Sequence, residues 1–218
     1  MIDIIIFAII ALLIAHRLYS VLGTTDDNDS TKYSAPVINL DKNQYQQQKE
    51  QVVESDFTDL DEDICKKLDQ TSQNNLAEIL KLDSKFSLYK FSQSAEKAFE
   101  IIINAFANGD DKSLTKLCDK LVADSFYEEY KKQSKLGNKI NINIVGIESH
   151  EIKEIKLDKK LAIIKIKFCS EQITTITNRK GEVISGAVNN VEEIVDNWYF
   201  ARDLSQKSPI WKLAKTTN

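Results

Sequence analysis

The sequence predicts an α+β fold: an N-terminal transmembrane helix, then helices packed on one face of a curved antiparallel sheet of about four strands. Three observations carry this. The chain opens on an unbroken apolar run from Ile4 to Ala15. Apolar residues then recur at helical spacing from Leu88 to Phe106. After Gly137 the period changes to two, which is the period of a half-buried strand.

The front end reads as an anchor over residues 1–22. A secretory signal starts on a positive region and ends at a small-x-small site. Here Asp3 occupies the start, and the run leads into HRLYSVLG. A helix from Met1 to Leu22 is about 33 Å long at ~1.5 Å per residue, enough to span a bilayer core. Ile4, Phe7, Ile10 and Leu13 supply its apolar surface, and Arg17 snorkels to the interface with Tyr19 in the headgroup belt. Arg17 after the run favours a single pass with the C-terminal domain on the cytoplasmic side. Three cysteines without CxxC spacing (Cys65, Cys118 and Cys169) agree with a reducing compartment.

Residues 23–75 read as an acidic flexible linker. From Thr24 to Asn75 there are 12 Asp/Glu and 5 Lys, a net of −7; from Leu76 onward 20 Asp/Glu and 23 Lys/Arg give +3. Such a segment buries too little apolar surface to offset its ordering entropy. DFTDLDEDICKKL within it reads as a solvated acidic stretch or a transient docking helix. The mild basicity of the remainder argues against nucleic acid, which selects concentrated basic stripes.

Residues 76–218 form the folded domain. A short helix is expected in NNLAEILKLDSKF, and a long one from the Ser87 N-cap to Asn108-Gly109. A second short helix follows Asp110-Asp111 through Leu121, and another runs from Ala123 to Leu136. Strands are expected at Ile140–Ile144, with a bulge at Val145-Gly146-Ile147, and at Ala162–Phe168. LDKK and NRKG mark turns, and two more strands cover Val188–Asp203 and Ile210–Thr216. Both tryptophans, Trp198 and Trp211, then lie on adjacent antiparallel strands at the sheet–helix interface. Arg202-Asp203 reads as an edge charge pair, or Asp203 as a turn former.

No GxGxxG, Walker, HExxH or GxSxG motif is present, so the residues supply no recognised catalytic set and no cofactor is expected. With His16 and His150 as the sole histidines, no zinc site of recognised spacing can be assembled. Two kinds of site remain. Lys153, Lys156, Lys159, Lys160, Lys165 and Lys167 cluster around one hairpin and are candidates for contact with anionic lipid, or else a solvated strand face. Phe99, Ile102, Phe106, Phe168, Trp198 and Phe200 either line an apolar cavity for a lipid or small molecule, or fill the core.

FSLYKFSQSAEKAFEIIINAFANGDDKSLTKL, FCSEQI, GEVISG and VDNWYFARDLSQKSPIWKLAKT, in that order, resemble the Tim44-like domain family over about Leu76 to Thr217. DIIIFAIIALLIAHRLYSVLG resembles the membrane segment of bacterial members, which implies a single-pass protein of the bacterial inner membrane with its C-terminal domain in the cytoplasm. The resemblance implies an α+β, non-enzymatic, membrane-attached adaptor whose partners are membrane lipids and proteins of a translocase or chaperone type. In the mitochondrial member, the resemblance implies, the family's domain contacts cardiolipin-rich membrane.

Overall fold

The computed structural model describes residues 54–217. The anchor candidates Ile4, Phe7, Ile10, Leu13 and Arg17, and the linker up to residue 53, lie outside the described residues. Among the described residues, no helix is long and apolar enough to cross a membrane.

Among the described residues, five helices precede the sheet. They are α1 (Glu54–Lys66), α2 (Gln70–Leu82), α3 (Leu88–Asn108), α4 (Asp111–Leu117) and α5 (Lys120–Leu136). The first two correct the expectation that the tether runs to Asn75. The segment is polar, but Leu68, Leu76 and Ile79 fall where they can join the main core. Asp69 caps α2 by accepting from the Ser72 amide at 2.6 Å. Ser72 in turn accepts from the Ile155 amide at 3.1 Å, and the Asn75 side chain donates to the Ile155 carbonyl at 2.9 Å. Two polar side chains of α2 thus satisfy the edge of the sheet. Composition averaged over a window does not register docking of that kind.

Helix α3 carries the apolar face read from its spacing. Ser87 caps it, and Gly109 closes it at φ 68° with its N–H bonded into the last turn. A Cβ at Gly109 would sit 2.1 Å from the Tyr130 ring, in a backbone region costly for L-residues. Gly109→Ala is expected to lose about 1–3 kcal/mol of unfolding free energy in a urea titration.

The helical region after Gly109 breaks earlier than expected. Cys118 leaves α4 in an extended conformation and bridges Leu213 in parallel, while the Asp119 amide donates to the Leu213 carbonyl at 2.9 Å. Asp119 then caps α5 through the Val122 amide. The contact with the C-terminal strand, 95 residues away in sequence (213 − 118), sets the break.

The sheet has five strands rather than four: β1 (Lys139–Asp158), β2 (Leu161–Thr177), β3 (Val183–Gly186), β4 (Glu192–Asp203) and β5 (Lys212–Thr217). The path is β1-β2-β4-β5, with β3 pairing β2 beyond the reach of β4, and all pairs are antiparallel. The additional strand, β3, comes from GEVISG. Register shifts at Ile144/Gly146, Ile147/Ser149 and Ile152/Glu154 bend the long first hairpin, the first of them at the expected bulge. Inward residues alternate along β2 and β4: Ala162, Ile164, Ile166 and Phe168 face Trp198 and Phe200, all at 1% exposure or less. Phe99 and Ile102 of α3 seal them from above at 0%.

Candidate functional site: an aromatic groove beside the core

Five of the six expected cavity residues pack into one another or their neighbours. Phe99 lies 4.6 Å from both Phe168 and Trp198, centroid to centroid, and Phe168 meets Trp198 edge-on at 5.8 Å. Phe106 turns to Phe126 at 5.4 Å, and Ile102 is sealed. Phe200 is the exception, because it also reaches an open groove of about 570 Å³ at the N-terminal end of α3.

This groove brings together two stretches distant in sequence, one around the start of α3 and one around the β4–β5 connection. The α2–α3 connection supplies Asp83, Lys85, Phe86 and Ser87; α3 supplies Lys90, Phe91 and Ala95; the β4–β5 connection supplies Pro209, Ile210 and Trp211. Trp211 lies 4.9 Å from Phe91 and 5.5 Å from Phe86, and Phe91 meets Phe200 edge-on at 6.0 Å. Trp211 remains half-buried and Ile210 exposed, so part of this apolar surface faces solvent.

One ion pair holds the walls together. Arg202 donates from Nη1 to Asp83 at 2.8 Å and from Nε to the Ser208 carbonyl at 3.0 Å. It therefore ties the loop bearing Ile210 and Trp211 to the loop bearing Phe86. Arg202 pairs with Asp83, not with its neighbour Asp203. Asp203 forms the turn instead, accepting from the Ser205 amide and hydroxyl and from Gln206. The opposite groove wall is steadied by Asp61 of α1, which accepts from the Ser87 hydroxyl and the Tyr89 amide.

The hairpin lysines are all exposed or half-exposed, but they are not equivalent. Lys153 pairs with Glu151, and Lys156 pairs with Glu154 at 2.8 Å. Lys165 lies over the Tyr199 ring at 5.6 Å, and Lys167 stands opposite Glu151 on the face turned away from the helices. Lys159, at φ 55°, and Lys160 form the exposed tip of the β1–β2 hairpin.

The spacing-based reading missed the groove, since Asp83–Arg202 and Phe86–Trp211 are contacts across more than 100 residues. It also missed Asp196. That residue is 4% exposed on the inner face of β4, and burial pushes its carboxyl up to about 6. The signal was present: Asp196, Trp198 and Phe200 share one phase of the strand. Cys118 is sealed, its thiol pushed up to about 12 by burial. Cys169 is held at about 11, first by its hydrogen bond to Glu193 and then by partial burial and Glu148. Neither thiol is a nucleophile at neutral pH.

Residues 72–218 match the model of the Tim44-like domain. Among curated proteins, the chain is 25% identical over 161 residues to mitochondrial import inner membrane translocase subunit TIM44-1 of Arabidopsis thaliana, covering 71% of this chain and 34% of that protein. It is 23% identical to the human subunit TIM44 of the same translocase, over 63% of this chain and 31% of that one. An uncharacterised protein of Rickettsia prowazekii is 26% identical over 230 residues, covering 98% of this chain and 95% of its own length. The chain thus spans about a third of the length of the import subunits and nearly all of the rickettsial protein. With the family model matched over two thirds of its length, through helices and sheet alike, this chain belongs to the Tim44-like domain family.

Proposed function

We propose that the protein is a non-catalytic adaptor at a bacterial inner membrane. In this reading the groove docks an apolar segment of a translocase-type or chaperone-type partner, and residues 1–22 serve as the anchor. The observation that carries the docking role is the exposed Ile210 and Trp211 edge, set on Phe86 and Phe91 and braced by Arg202. Trp and Arg at a preformed concavity are among the side chains that dominate association energies. A fixed groove also binds without a large ordering cost. Lys85 and Lys90 on the rim favour a segment flanked by acidic residues. Membership of a family that includes inner-membrane translocase subunits supports the choice of partner class. Tethering then acts by raising local concentration.

Of the six lysines, Lys159 and Lys160 are the best placed for anionic headgroups, because they stand at the hairpin tip and carry no salt bridge among the described residues. Each basic residue held near such a surface contributes about 1 kcal/mol. A photoreactive group at position 159 is expected to label phospholipid in native membranes; labelling of protein alone would remove this part of the reading.

The docking role is tested with Ile210→Asp combined with Trp211→Ala in the full-length protein. Trp211 is half-buried against Phe86 and Phe91, so thermal unfolding by circular dichroism checks the fold, and co-purification of the membrane partner with the folded variant is expected to fall at least ~10-fold. Unchanged recovery of the same partner would exclude the groove.

A further inference from the structure

The groove opens close to the point where the chain enters the domain. Asp61 of α1 accepts from the Ser87 hydroxyl at 3.0 Å and from the Tyr89 amide at 2.6 Å, and Ser87 belongs to the groove wall. Glu54, where the described residues begin, lies seven residues before Asp61 in the same helix, about 10 Å at ~1.5 Å per residue. The segment that precedes Glu54 therefore starts beside an apolar concavity whose edge, Ile210 and Trp211, the described residues leave partly open. The lining holds three basic residues, Lys85, Lys90 and Arg202, against one acidic residue, Asp83. Arg202 and Asp83 pair with each other, and the lysines are exposed, so the rim is positive. Residues 23–53 contain a stretch that matches it. Ala35-Pro36-Val37-Ile38 is their longest apolar run, with Leu40 two residues beyond. Asp26, Asp27 and Asp29 precede the run and Asp41 follows it, against Lys32 and Lys42.

We propose that residues 35–41 of the same chain occupy the groove when no partner is bound. Ile38 and Leu40, on one side of an extended segment, meet Phe86, Phe91 and Trp211, and the flanking aspartates turn to Lys85 and Lys90. Pro36 fixes its own φ and biases Ala35 to extended conformations, which lowers the ordering cost of binding. The twelve residues from 42 to 53 reach up to about 40 Å at ~3.3 Å per residue, well beyond the distance from Glu54 to Asp61. So short a connection holds the segment at about millimolar concentration beside the groove. At that level an affinity of only ~0.1 mM keeps about nine grooves in ten filled. The inference rests on the docking role proposed for the groove and gives that role its regulation. A partner binds by displacing a segment of the chain itself, and its apparent affinity falls with the fraction of grooves left open.

The test uses purified full-length protein in phosphatidylcholine liposomes without any partner, with a photoreactive aliphatic amino acid at position 38. Isotopically labelled and unlabelled copies are mixed equally before irradiation. Mass spectrometry is expected to find position 38 joined, within one copy, to the peptide holding Phe91 or the one holding Trp211. Ile210→Asp, at an exposed position, and Lys85→Glu should each lower the yield at least ~3-fold, with circular dichroism checking the fold. An adduct joining labelled to unlabelled copies, an adduct to phospholipid alone, or a yield indifferent to both variants overturns the proposal. Because no partner is present, this crosslink holds or fails separately from the docking role. In native membranes, Ile38→Asp with Leu40→Asp should raise recovery of the partner at least ~3-fold. Recovery that stays level there, while Ile210→Asp with Trp211→Ala lowers it, also overturns the proposal; recovery that neither pair moves sinks the docking role instead.

Discussion

Phe99→Ala is expected to be the most damaging single substitution in the domain, lowering its unfolding free energy by about 3–5 kcal/mol. Phe99 is fully buried and is the one side chain of α3 whose ring contacts both Phe168 of β2 and Trp198 of β4. Removing it opens a void at the helix–sheet joint, which Ile102 and Ala95 cannot fill without moving the helix. A domain of this size is stable by about 5–15 kcal/mol, so the variant approaches the limit of folding. Ile101→Ala, two residues on but 47% exposed, should change stability by less than about 0.5 kcal/mol. Urea denaturation followed by tryptophan fluorescence separates the two. Equal effects would mean that α3 does not seat on the sheet through this face. Trp198→Phe serves as a graded companion, because the Trp198 Nε1 donor is buried without a partner and its removal offsets part of the lost packing.

Asp196→Asn is expected to stabilise the protein at neutral pH and to do little at pH 4. The folded carboxyl titrates near 6 against 3.8 for the exposed group, and desolvation is the cause. Between those values the folded state holds a proton that the unfolded state has released, so stability falls as pH rises from about 4 to about 6 and then levels off. At ~1.4 kcal/mol per unit, the penalty above pH 6 amounts to about 3 kcal/mol at most. The amide carries no charge and escapes that penalty. Unfolding free energies of wild type and variant should therefore diverge by about 1–3 kcal/mol between pH 4 and pH 7. Parallel profiles would show that water or another group solvates the carboxylate in the folded state.

Much of the fold was legible because its signals are local. Ser87 and Gly109 bound α3 as their types require, and the alternation of Ala162, Ile164, Ile166 and Phe168 sets the buried face of β2. The antiparallel pairing of the last two strands also followed, with Phe200 opposite Leu213, but β5 begins at Lys212, so Trp211 stands in the β4–β5 connection rather than on the strand where it is expected. What stayed hidden depends on distant partners. The start of α2, residues 70–75, looks like solvated linker until Ser72 and Asn75 meet the Ile155 backbone, although a short helix is expected from Asn74 onward. The break at Cys118 exists because Leu213 is there to bridge it. Cavity and core make the same demand on the sequence, an apolar residue at an inward position, so Phe99 and Phe168 could not reveal that their rings touch. The groove needs Asp83 to find Arg202 across 119 residues, and no periodicity encodes that meeting.

The account's central claim is that Ile210 and Trp211 form the edge of a docking site for a membrane-protein partner. It is tested most directly by placing a photoreactive amino acid at position 210 of the full-length protein in its native membrane, followed by mass spectrometry of the products. The account predicts a discrete protein adduct of translocase or chaperone class, lost when Phe91→Ala alters the groove wall and retained when Lys159→Glu alters the hairpin tip. Adducts to phospholipid alone, or a protein adduct indifferent to Phe91→Ala, would contradict it.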